Sequence, residues 1–228
     1  MMKAVIYDVD GTMVDSEPAH VASWEKALQL YTHSLEDLSE AFRSTMAGKK
    51  PVAIAQGMVE ELQLPINAEV LLKNKTDIFM HTIKTALKEM PGVSESVKRF
   101  HHNGYKLGIG TSLTKDYIDI VLDTLNLKNY FDVIVTGDEI KNGKPHPDTY
   151  LIVAEKLGLK PEECVVIEDA KTGIQSAKAA GCYCIAIENP NALKQDTSQA
   201  DRKITTLDEI TNTYIKDLTP SLEDGFTF

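Results

Sequence analysis

The sequence predicts an α/β fold: a parallel sheet covered by helices on both faces, with a helical module inserted after its first strand. Three observations carry this. Five short apolar runs, residues 3–7, 105–110, 132–136, 164–167 and 183–187, are too short for helices, and most are rich in Val and Ile. Helical patterns alternate with them, as in sheets whose strands are buried on both faces. Between the first run and the helix that begins at Val93 lie about 85 residues with no convincing strand.

That interval holds helical stretches at residues 17–30, 35–46, 52–62 and 68–87. It is too long for a crossover and fits an inserted module, so the expected division is a core of residues 1–15 and 88–228 and a cap of residues 16–87. In the core, residues 93–102 read as a helix stopped by Asn103-Gly104. Residues 114–127 place Tyr117, Ile118, Val121, Leu122 and Leu125 on one helical face. Helices at 147–157 and 172–180 follow, the second closed by Gly181. A weaker sixth strand at 203–205 and a helix at 207–218 complete the pattern.

Composition excludes several classes. The 228 residues carry 24 basic and 34 acidic side chains, a formal net charge of -10, with no Lys/Arg block to bind a phosphate backbone. No nucleic-acid partner is expected. No apolar segment approaches the roughly 18 residues of a membrane helix, and the amino-terminal run is too short for a signal peptide. Cys164, Cys182 and Cys184 have neither disulfide-framework nor metal-site spacing and read as buried small hydrophobes. The expectation is a reduced, cytoplasmic, monomeric protein with no membrane partner.

The chemistry sits at the ends of the apolar runs. The first ends in Asp8-Val9-Asp10-Gly11-Thr12, the second in Thr111-Ser112 and the fourth in Glu168-Asp169, while Lys144-Pro145 follows the third. In open parallel sheets ligands bind beyond the carboxyl ends of the strands, so these groups converge on one sheet edge. Acids, a hydroxyl and an ammonium gathered there suit phosphoryl transfer. A carboxylate is repelled by a phosphate dianion, by roughly 4 kcal/mol per charge pair at about 4 Å and an effective dielectric of about 20. Mg²⁺ held by carboxylate oxygens cancels this. Asp8 and Asp169 are the expected side-chain ligands, with the backbone carbonyl of Asp10 and a water-mediated Glu168. Asp8 is the candidate nucleophile, forming an aspartyl-phosphate. Asp10 points to the same side as Asp8 on an extended chain and is the candidate general acid and base. Lys144 and the Thr111 hydroxyl stabilise the phosphoryl oxygens, and Ser112 is a candidate substrate contact.

Residues 8–18 (D-V-D-G-T-M-V-D-S-E-P), 110–112 (G-T-S), 143–148 (G-K-P-H-P-D) and 166–181 (V-I-E-D-A-K-T-G-I-Q-S-A-K-A-A-G) resemble, in order, the four motifs of the haloacid dehalogenase superfamily. The resemblance spans the whole core. It implies a Rossmann-like core with a helical cap inserted after the first motif, and is nearest to the branch holding β-phosphoglucomutase and small sugar-phosphate phosphatases. It also implies substrate-facing positions in the cap. One is His20, which otherwise reads as a partly exposed helix histidine. The others are Gly48, Lys49 and Lys50 in a turn that otherwise reads as solvated.

Asp10 speaks against two relatives of this superfamily, the dehalogenases and the phosphonatases, which lack the second aspartate. A phosphatase acting on a small sugar, polyol or nucleoside monophosphate is the main expectation. A phosphosugar mutase uses the same aspartates and stays open. So does a noncatalytic phosphate-binding regulator, since fold does not establish activity.

Overall fold

The computed structural model describes residues 1–46, 49, 51–190 and 194–218. Gly48 and Lys50 of the expected cap turn lie outside these residues. The chain divides into two compact units, one of Met1–Val14, Glu89–Pro190 and residues 194–218, the other of Asp15–Lys88.

In the first unit the strands are β1 (Ala4–Tyr7), β4 (Lys106–Gly110), β5 (Val133–Val135), β6 (Cys164–Glu168), β7 (Tyr183–Ile187) and β8 (Arg202–Ile204). They form one sheet in the order β5-β4-β1-β6-β7-β8, all neighbours parallel. This is a Rossmann-like α/β core. Helices α5 (Val93–His102), α6 (Lys115–Leu125), α7 (Asp148–Leu157) and α8 (Lys171–Ala180) alternate with the strands. β1 is central: it pairs with β4 and β6, and all of its residues are buried. One core cluster gathers Ile6, Tyr150, Val153, Val166 and Ala177 with all three cysteines, which are free thiols. Burial pushes Cys164 and Cys182 up to about 12, so they pack as inert hydrophobes.

The second unit holds α1 (Glu17–Gln29), α2 (Glu40–Arg43), α3 (Pro51–Glu61) and α4 (Ala68–Ala86). Trp24, Leu28, Ile54, Met58 and Leu71 make its core. Two features differ from the sequence expectation. Short strands β2 (Val14–Asp15) and β3 (Lys88–Glu89) pair with each other at its two ends. And the helix expected over residues 35–46 is broken: a 3₁₀ turn at Leu35–Asp37 precedes α2. The cause is local. Ser39 accepts a hydrogen bond from the Phe42 amide while its own amide donates to Glu61, so a new helix starts there. The carboxyl-terminal helix divides likewise, into a turn at Leu207–Glu209 and α9 (Asn212–Asp217), because Thr211 caps the Tyr214 amide. Among the described residues no helix is long and apolar enough to cross a membrane.

Candidate active site

The register of three strands builds the site. Tyr7 pairs with Ile109 of β4 and with Ile167 of β6, so the residues that follow, Asp8, Gly110 and Glu168, stand level on adjacent strands. Lys144 Nζ donates to Asp8 Oδ1 at 2.7 Å, to the Gly110 carbonyl at 3.1 Å and to Glu168 Oε1 at 2.7 Å. Tyr150, fully buried on α7, donates its hydroxyl to the same Glu168 oxygen at 2.8 Å, and its ring lies 4.9 Å beneath the ammonium. Glu168 is 1% exposed and fits because α8 presents Gly173 to it; a Cβ there would stand 1.7 Å from Glu168 Oε1.

Asp8 is followed by a tight turn. The amides of Met13 and Val14 donate to the Val9 carbonyl at 2.8 and 3.1 Å, and Gly11 N–H donates to Val14 O at 2.8 Å. Gly11 has φ +81°, a conformation other residues rarely adopt, and a Cβ on it would lie 2.1 Å from Asp169 Oδ2. The turn can therefore reach Asp169 only with glycine at this position.

Asp8, Glu168 and Asp169 bring carboxylate oxygens within 4.8 Å of one another. Burial pushes the Asp169 carboxyl up to about 8, and repulsion from Glu168, Asp8 and Asp10 adds to it. Burial also raises Asp8 against the pull of Lys144, with Glu168 and Asp10 adding to the rise. Burial alone would lower Lys144, but Asp8 and Glu168 outweigh it and keep the ammonium charged. The cluster thus has an excess of hard, negatively charged oxygen donors, the set that fits Mg²⁺.

Thr111 is buried at the end of β4, where its hydroxyl accepts from the Leu113 amide at 3.2 Å; Ser112 beside it is exposed. Asp10 accepts from the Tyr117 hydroxyl at 3.0 Å. Thus Asp8, Asp10, Lys144, Glu168 and Asp169 interact at one edge, together with Tyr117, expected only as part of an apolar helix face, and Tyr150.

Within the second unit, His20 is half-buried on α1. Its Nδ1 lies 2.6 Å from Lys75 Nζ, and its ring stacks on Phe79 at 4.1 Å. Lys75 is only 5% exposed, with its ammonium over the rings of Phe79 and Trp24. Sequence reasoning missed Lys75. The available signal was the pairing of His20 with Trp24 and of Lys75 with Phe79, each one helical turn apart. Lys49 is exposed and donates to Thr45 Oγ1 at 2.8 Å.

A family model described as haloacid dehalogenase-like hydrolase matches residues 5–187. A fructose-1-phosphate phosphatase of Escherichia coli is 34% identical over 80% of this chain and 95% of its own length. A phosphorylated carbohydrates phosphatase of Thermotoga maritima is 34% identical over 79% of this chain and 82% of its own. Among solved structures, a candidate β-phosphoglucomutase from Thermotoga maritima superposes with a TM-score of 0.83 at 30% identity, covering 95% of this chain and all of its own.

Proposed function

The chain belongs to the haloacid dehalogenase-like hydrolases and is a phosphoric monoester hydrolase, and on that premise we propose that it removes phosphate from a small phosphorylated metabolite, foremost a sugar or polyol phosphate, with Mg²⁺ as cofactor. The observation that carries this reading is the alignment of Asp8, Gly110 and Glu168 on one ammonium, with Asp169 beside them. Sugar phosphates are favoured because the relatives named above act on phosphorylated carbohydrates.

Asp8 and Asp169 would hold Mg²⁺ through side-chain oxygens, with the Asp10 carbonyl beside them and Glu168 acting through water. Bound there, the ion supplies the positive charge that lets a carboxylate approach a phosphate dianion. Asp8 attacks phosphorus in line, so one Asp8 oxygen bonds to phosphorus as the bond to the leaving oxygen breaks. Asp10 gives its proton to that oxygen and later takes one from the water that releases inorganic phosphate and restores Asp8. Lys144 balances the charge of Asp8 and of the phosphoryl oxygens, and Thr111 offers them its hydroxyl.

Turnover of p-nitrophenyl phosphate with Mg²⁺ and with chelator tests the activity, and phosphate release from a panel of phosphorylated sugars, polyols and nucleotides tests the substrate class. Metal-independent turnover, or none, would overturn the reading. Isomerisation of a hexose phosphate without phosphate release would favour a mutase, the alternative to which the β-phosphoglucomutase-like structure points.

A further inference from the structure

Asp10 has a well-fixed backbone, bridged to Val14 across the turn. That bridge fixes the main chain and not the carboxyl group. Tyr117 reaches it from α6, far along the chain, and its hydroxyl donates to Asp10 Oδ1 at 3.0 Å. The tyrosine is 3% exposed, and Ile118, Val121 and Leu122 are buried on the same helix. The start of α6 is pinned as well, because the Lys115 amide donates to Asp138 Oδ2 at 2.8 Å. A phenol with only two side-chain torsions, on a helix so anchored, is a rigid arm. A buried hydroxyl needs a hydrogen-bond partner, and this one meets a carboxylate, the stronger kind of acceptor.

We propose that Tyr117 is a positioning residue for the proposed hydrolysis: its hydroxyl holds the Asp10 carboxyl in the orientation that delivers a proton to the leaving oxygen. This rests on the phosphatase reading above. In the step concerned, the Asp8 oxygen bonds to phosphorus, the bond from phosphorus to the leaving oxygen breaks, and the Asp10 proton moves to that oxygen. Misalignment of Asp10 matters most when the departing oxygen is basic and cannot leave without the proton. It matters little when the leaving group is already a stable anion.

The test compares kcat/KM on phenyl phosphate and on p-nitrophenyl phosphate, two substrates of similar shape whose leaving groups differ in basicity. Tyr117→Phe keeps the ring and deletes only the hydroxyl. A loss of roughly tenfold is expected on phenyl phosphate, the size of one hydrogen bond, against less than about threefold on p-nitrophenyl phosphate. Asp10→Asn should show the same preference more strongly. If it shows none, the role given to Asp10 is wrong, and Tyr117 falls with it. If Asp10→Asn shows the preference and Tyr117→Phe loses both substrates equally, or neither, the positioning role alone is overturned. The double variant decides the case if Tyr117→Phe also loosens the fold. On the Asp10→Asn background, deleting the hydroxyl should cost no further discrimination, whereas additive losses would count against the proposal.

Discussion

Lys144 Nζ lies 2.7 Å from Asp8 Oδ1, although 136 residues separate them in sequence. The ammonium is the counter-charge for a buried carboxylate that burial pushes upward. Lys144→Met should therefore damage both activity and stability. Breaking one side of a buried ion pair costs about 3–5 kcal/mol, and protonation of the stranded acids should hold the loss near the lower end. Urea unfolding with and without Mg²⁺ checks this, and Mg²⁺ should recover part of the loss.

Asp8→Asn is nearly isosteric and should remove turnover by at least about 10³-fold, because no other group replaces the nucleophile. The circular dichroism spectrum should be unchanged. Beryllium or aluminium fluoride with Mg²⁺ should inhibit the wild type. Near-normal activity in the variant would dismiss the aspartyl-phosphate route.

Asp10 and Asp169 should separate in their metal dependence. Asp169→Asn removes a proposed side-chain ligand and should raise the Mg²⁺ concentration for half-maximal activity by about 10-fold or more. Asp10→Asn should leave that concentration within about twofold while slowing turnover by about 10²-fold. Equal metal titration curves for both variants would refute this division.

Gly11→Ala should behave like a mild form of Asp169→Asn. The new methyl would meet Asp169 Oδ2 at 2.1 Å, on a backbone at φ +81°. The expected outcome is weaker Mg²⁺ activation and a stability loss of about 1–3 kcal/mol. Thermal denaturation and a metal titration on the same sample read both.

The protein should respond to Mg²⁺ more strongly at high pH. Asp169 is held up at about 8, and Asp8 is raised as well, by burial first. Acids raised in the folded state favour the fold below their unfolded value, about 4, and that contribution is lost as pH rises through the folded value. The metal-free protein should thus lose stability between about pH 4 and about pH 8. Mg²⁺ competes with those protons, so its effect on Tm should be larger at about pH 8.5 than at about pH 5.5. An equal or reversed effect would show that the metal binds elsewhere.

The site was legible in sequence where chemistry sits directly on a strand end. Asp8, Glu168 and Asp169 interrupt or follow fully apolar runs, and the parallel sheet then brings them to one edge. Tyr117 and Tyr150 were not legible, because a tyrosine on the apolar face of a helix reads as packing until its hydroxyl is traced to a carboxylate. Lys75 was hidden for the opposite reason. A lone lysine in a polar helical stretch reads as solvated, and only the facing α1 shows that Trp24 and His20 enclose it. The broken helix at residues 35–46 escaped because one serine side chain, Ser39, outcompeted a continuous helical pattern.

The central place of β1 has a consequence for synthesis. It precedes both of its neighbours in the chain, which are encoded beyond the whole helical unit, and β6 lies beyond α7 as well. An apolar strand must therefore stay unpaired until β4 has been made, and open on its other edge until β6 follows, a state in which nascent proteins are exposed to aggregation and to chaperones. Lys144 can bridge Asp8, Gly110 and Glu168 only once the last of these strands has docked, which makes the return of activity during refolding a late event and a direct clock for the closing of the sheet.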